Sequence, residues 1–140
     1  MLGIKAEGTD ENYSKVDPEN YRKVAERVME KFPNVKVVGN SLREVKSAKL
    51  NNWQVVMMTE NGYFKSRKYE DVEIYDRVGG GDSFASALIY GFLTGKPEQE
   101  IIEFAGAFSA LCHTIRNDWN LVTRDEAEHV MRGGSARVKR

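Results

Sequence analysis

The stretch from Asp76 to Phe92, DRVGGGDSFASALIYGF, places three consecutive glycines between two aspartates and runs directly into an apolar helix. Glycine loses more backbone freedom on folding than any other residue, so three together mark a turn that side chains would obstruct. Upstream, DVEIYD (Asp71–Asp76) alternates Val72, Ile74 and Asp76 against Glu73 and Tyr75, the period of a strand. Downstream, Phe84, Leu88, Ile89 and Phe92, with Ala85 and Ala87, predict a largely buried helix from about Asp82 to Thr94, capped by Gly95.

The remaining elements follow from caps and periodicity. The first sixteen residues are a polar, irregular lead-in. Asp17 is an N-cap, Pro18 suits the first helical position, and Tyr21, Val24, Val28 and Phe32 recur at helical spacing before Pro33. VKVVGN (Val35–Asn40) predicts a short buried strand. NNWQVVMMTENGYFKS predicts a hairpin: one strand over Trp53–Thr59, a type I′ turn at Asn61-Gly62, and a return over Tyr63–Ser66. A helix from Pro97 carries Ile101, Phe104, Ala105, Phe108, Leu111, Cys112 and Ile115, and a last one opens on the capping box Thr123–Glu126. The order is helix, strand, hairpin, strand and three helices, an α/β layout in one domain over residues 1–140.

Composition removes several function classes. The 21 basic and 21 acidic residues cancel, so no global field favours nucleic acid or an acidic membrane. No apolar run reaches membrane-spanning length, and the N-terminus lacks the layout of a secretory signal. The single cysteine, Cys112, excludes an internal disulfide, so a cytoplasmic setting is expected.

The glycine turn has two readings. The first-turn N–H groups of a helix lack intrahelical acceptors, and the helix dipole is positive there. Glycines let an anion approach those groups, and a carboxylate at Asp82 beside a phosphate suggests a base for an attacking hydroxyl. The other reading is a tight turn feeding a helix N-capped by Asp82, and GGGD alone favours it. The string is not a Walker A loop, since no Lys-Ser/Thr follows.

The longer string DRVGGGDSFASALIYG resembles the second signature of the ribokinase-like (PfkB) sugar kinases, and its Arg-Val and triple glycine resemble the 2-keto-3-deoxygluconate kinase branch. LGIKA, LREVKSA, NNW, HTIRNDWNLVT and GGSARVKR agree with that resemblance. It implies the C-terminal part of a ribokinase-like sheet flanked by helices, and an ATP-dependent kinase acting on a sugar or sugar acid with Mg2+. Asp82 would be the general base, and the backbone of Gly79, Gly80, Gly81 and Asp82 the anion hole. Asp118 would contact the sugar acid, while Thr59 and Gly62 would approach the nucleotide. Asn117 and Asn120 lie near the adenine or substrate side without a role. Magnesium would accompany ATP mainly through phosphate and water.

Relatives are about twice as long, and the half that holds their sugar lid and most sugar contacts has no counterpart here. Cys112 replaces a usual Lys, and Arg116-Asn117 a usual Pro-Gly. Weak or absent turnover in isolation is therefore expected. So is self-association, or pairing with a separate N-terminal half; the alternative is an inactive nucleotide-binding or assembly module. Cys112-His113 could suggest a catalytic dyad, but adjacent helical residues point about 100° apart, so a packed cysteine and a hydrogen-bonded histidine are expected. Trp119 could stack on adenine or cap a helix end, and Arg77 could attract an acid or close a strand-end contact.

Overall fold

The computed structural model describes residues 16–116 and 119–134. Its elements are α1 (Pro18–Lys31), β1 (Val38–Val45), β2 (Leu50–Thr59), β3 (Gly62–Lys65), β4 (Tyr69–Glu73), α2 (Gly80–Leu93), α3 (Glu98–Cys112) and α4 (Arg124–Met131). The order matches the expected one, and the architecture is an antiparallel sheet flanked by helices.

β2 is the centre of the sheet. One of its edges carries β1 along nearly its whole length, from Val38 opposite Met58 to Val45 opposite Asn51. The other edge is shared: β3 takes Val56–Thr59, and β4 takes Leu50–Trp53. Side chains alternate across a strand, so the two faces of β2 are read separately. Val56 packs with Val16 and Leu42, against Tyr21 of α1. Trp53, Val55 and Met57 face Phe84, Leu88, Ile101 and Phe104 of α2 and α3. Both Met57 and Met58 are core residues.

α3 lies against the sheet with α2 and α4 beside it, and ten of its fifteen residues are buried. Small residues permit this close approach. A Cβ at Gly106 would stand 2.8 Å from Ser66 Cβ, and one at Gly91 would stand 2.7 Å from Ile101 Cγ1. Burial of a polar group needs a partner, and the Trp53 indole N–H donates to Ser109 Oγ at 2.8 Å inside this layer. Ser109→Ala leaves that N–H unpaired and should lower stability by about 1–3 kcal/mol, read as an earlier urea midpoint at unchanged slope.

Local signals held where they were strongest. Asp17 caps α1 by accepting from Glu19 N at 2.9 Å, with Pro18 in the first turn. The Thr123–Glu126 capping box forms in both directions. Three expectations change. β1 begins three residues later and runs through SLREV, with only Leu42 buried, because it is an outer strand paired on one side alone. The hairpin loop is Glu60-Asn61 rather than Asn61-Gly62, since Thr59 pairs with Gly62. Asn61 has negative φ and only Gly62 is positive (140°), so the turn is not type I′, which needs positive φ at both central residues.

The third change concerns α2. It starts at Gly80, and the N-cap is Gly79 rather than Asp82. Its expected burial holds on one face only: Phe84, Ala87 and Leu88 are buried, whereas Ile89, Phe92 and Leu93 are 60%, 40% and 82% exposed. Residues three and four apart share a helix face. This one points away from α3 and the sheet, and no described residue covers it.

Candidate active site

β4 leads into the glycine turn through a segment clasped from the end of α3. Tyr75 N and Asp76 N both donate to the His113 carbonyl, at 2.8 and 3.4 Å. The His113 ring bonds back, with Nδ1 3.2 Å from the Asp76 carbonyl. Asp76 Oδ1 then accepts from Val78 N at 3.0 Å, an Asx turn that starts the bend. Gly79 completes the bend at φ 81°, a left-handed conformation that side chains resist, and its carbonyl accepts from Ser83 N at 2.8 Å to open α2.

The three glycines therefore serve three purposes. Gly79 is required by its dihedral. Gly80 is buried against His113: a Cβ there would overlap ring atom Cε1 and lie 2.7 Å from Nε2. Gly81 has neither constraint. It is exposed, and an added Cβ would meet nothing within 4 Å. No side chain caps this helix end, so the first-turn N–H groups, lacking intrahelical acceptors, face outward at the positive end of the dipole. Asp82 is exposed in the same turn.

His113 is 3% exposed and meets Trp53 edge-on, with ring centroids 4.4 Å apart. Burial pushes its pKa below the usual value; the bond to the Asp76 carbonyl opposes this, and the nearby charges of Arg43 and Arg77 add to it. Cys112 is buried and free. Arg77 closes the strand-end contact, donating to the Ala48 carbonyl at 3.2 Å. Asn120 Nδ2 donates to Ser83 Oγ and to the Phe108 carbonyl, both at 3.1 Å, tying the segment before α4 to the start of α2. Trp119 is 71% exposed. Asp118 and Asn117 lie outside the described residues.

Thr59 and Gly62 are not brought to the glycine turn. They sit at the β3 end of β2, whereas β4 enters the turn from the Leu50 end. A ten-residue strand spans about 30 Å. The Thr59 hydroxyl donates to Glu98 Oε1 at 2.6 Å and accepts from Asn61 N at 3.1 Å. A groove of about 770 Å³ lies instead beside the approach to the turn, lined by Tyr69, Val72 and Tyr75 with Leu111, Ile115 and Val130. That volume is within the range of small-molecule sites. Pattern reading missed this groove, because its walls come from β4 and the ends of α3 and α4. It also gave no role to Arg43, although LREV was conspicuous.

Residues 54–120 match the family described as pfkB family carbohydrate kinase. The match covers just under half of the chain. The matched segment starts within β2, at Gln54, and includes β3, β4, the glycine turn, α2 and α3. The chain is similar to a 2-dehydro-3-deoxygluconokinase of Thermotoga maritima, with 45% identity and a TM-score of 0.84 over 94% of this chain and 38% of that one. A PfkB family carbohydrate kinase of Listeria grayi is 28% identical, with a TM-score of 0.73, over 85% of this chain and 36% of that one. A 2-dehydro-3-deoxygalactonokinase of Haloferax volcanii is 34% identical over 70 residues, 50% of this chain and 22% of that protein. The chain thus spans about two-fifths or less of each relative's length. No helix among the described residues is long and apolar enough to cross a membrane, and none of their His, Cys, Asp or Glu side chains form a group of three able to hold a metal.

Proposed function

We propose that this chain supplies the phosphoryl-transfer corner of an ATP-dependent kinase for a sugar acid of the 2-keto-3-deoxygluconate type. The observation that carries the reading is the uncapped start of α2. There Gly81 is open to an approaching group, and the Asp82 carboxylate stands in the same turn. The N–H groups of Gly79, Gly80, Gly81 and Asp82 would hold the transferring phosphoryl group, while Asp82 takes the proton from the attacking hydroxyl. ATP fits the turn chemically, because the unpaired N–H groups and the dipole both favour phosphate. Mg2+ would be held through phosphate oxygens and water, with Asp82 the nearest exposed carboxylate of the turn. Asp118 remains the proposed contact to the sugar acid.

The nucleotide base has two candidate seats, the Thr59–Gly62 turn and the groove beside β4. The groove is favoured because Tyr75 joins it to the glycine turn and because the Thr59 hydroxyl is already engaged. Mg-ATP at a hundredfold excess over its Kd should stabilise the chain by about 2.7 kcal/mol, seen as a higher melting temperature. Leu111→Trp, which fills the groove, should remove that rise, whereas Thr59→Val should keep it. The opposite pattern would move the base to the hairpin.

Turnover is tested by sugar-acid-dependent ADP formation, with this chain alone and mixed with the segment of the Thermotoga maritima relative that lies outside the match. ADP formation that needs the mixture supports the reading; none in either case, with Mg-ATP bound, favours a nucleotide-binding assembly module. The exposed Ile89, Phe92 and Leu93 face of α2 favours association in both readings. Sedimentation should show a dimer or larger species that Leu93→Glu shifts toward monomer.

A further inference from the structure

His113 stands directly beneath the proposed anion hole, and the phosphoryl-transfer chemistry makes no use of it. Four contacts join it to the turn. Its carbonyl accepts from Tyr75 and Asp76, its Nδ1 meets the Asp76 carbonyl, and its ring fills the space that a Cβ at Gly80 would take. A carbonyl can only accept, so Nδ1 carries the proton in the neutral ring. Nε2 is then a bare lone pair. It is buried and has no hydrogen-bond partner among the described residues, in a residue only 3% exposed. The ring occupies the direction a Cβ at Gly80 would take, and Cβ vectors on a helix lean toward its N-terminus, the end that favours an anion.

We infer that His113 is a positioning residue for the anion hole and that its Nε2 takes up one proton when an anion binds there. The inference rests on the glycine turn being an anion site. In the free protein the described residues offer Nε2 no acceptor for a proton, and Arg43 of β1 and Arg77 of the connection oppose a third positive charge nearby. Asp76 is the acidic group that bears on the ring; β2 presents the Trp53 indole to it, and α2 presents Gly80. A dianion at the turn reverses that balance. The proton comes from solvent, the ring becomes an imidazolium, and its charge adds to the helix end in holding the anion. Binding and protonation therefore strengthen each other.

Sulfate is the probe, since its charge does not change between about pH 5 and 8, where histidine titrates. The chain has two histidines, His113 and His129, which imidazole NMR can follow separately. In the free protein His113 should appear as the Nδ1–H tautomer and titrate below the usual histidine value. Sulfate should shift the Gly80–Asp82 amides and raise the His113 titration midpoint. Between the two midpoints its affinity should rise toward tenfold for each pH unit lowered, the limit for one linked proton. Asn at 113 retains a donor for the Asp76 carbonyl but does not titrate, so His113→Asn should bind sulfate with little pH dependence. His113→Phe, lacking the donor, should bind weakly throughout.

Sulfate that shifts the glycine amides while the His113 midpoint stays fixed overturns the inference and leaves the anion hole standing. A wild-type pH dependence in His113→Asn does the same. If neither sulfate nor Mg-ATP perturbs those amides, the anion hole and the inference fall together. Should His113→Asn not fold, the wild-type titration with and without sulfate decides.

Discussion

Asp82→Asn is expected to lower sugar-acid-dependent ADP formation by about 10²–10⁴-fold, the usual contribution of a positioned general base. The fold should be unaffected. Asp82 is exposed in the first turn of α2, it is not the N-cap, and no hydrogen bond from its side chain caps the helix. Asparagine keeps the size and loses the proton acceptor, so Mg-ATP affinity should change by less than about threefold, under 1 kcal/mol. The loss should lie in kcat, with KM for the sugar acid little changed, because the lost interaction acts on the proton in flight. The assay is the mixture of this chain with the non-matching segment of the Thermotoga maritima relative. Activity retained within tenfold in Asp82→Asn would remove Asp82 from the role of base.

The second large effect separates adjacent glycines. Gly80→Ala drives a methyl group into the His113 ring, which is held by Trp53 on one side and the Asp76 carbonyl on another. Neither partner is a flexible chain end, so overpacking should cost about 1–3 kcal/mol, a substantial part of the roughly 5–15 kcal/mol that holds a domain together. Gly81→Ala meets no atom, and replacing glycine within a helix should leave stability unchanged or higher by up to about 1 kcal/mol. Its effect should appear in binding, as a loss of at least about tenfold in sulfate and Mg-ATP affinity, or about 1.4 kcal/mol. Urea midpoints and titrations on the two variants give the crossed pattern: one unstable, the other stable but poor at binding. Wild-type affinity in Gly81→Ala would mean that the anion does not use this side of the turn.

The glycines also show how far a sequence can be read. The signature, the helix after it and the strand before it were legible, and so was an α/β order of eight elements. Caps were legible for the same reason. Asp17 and Thr123 act on N–H groups two or three residues away, so the residues that make the contact lie side by side in the chain. The turn at Glu60-Asn61 was displaced by one residue, because Gly62 serves the first pair of β3 rather than the loop.

What could not be read depends on partners far along the chain. GGG alone cannot show that one glycine answers a dihedral, another answers His113 and the third meets nothing among the described residues. β1 extends through LREV because β2 offers a ten-residue edge. Thr59 and the glycine turn, both placed near the nucleotide by resemblance, lie toward opposite ends of that strand because β3 and β4 divide its other edge. The apolar pattern of α2 marked a helix but not which side would be covered; packing on α3 and the sheet buried one face and left Ile89, Phe92 and Leu93 outside. Local chemistry thus set where the elements begin and end, since hydrogen bonds and dihedral preferences act over a few residues. Their assembly set what each glycine is for and where a ligand can reach, since those depend on side chains that only packing brings together.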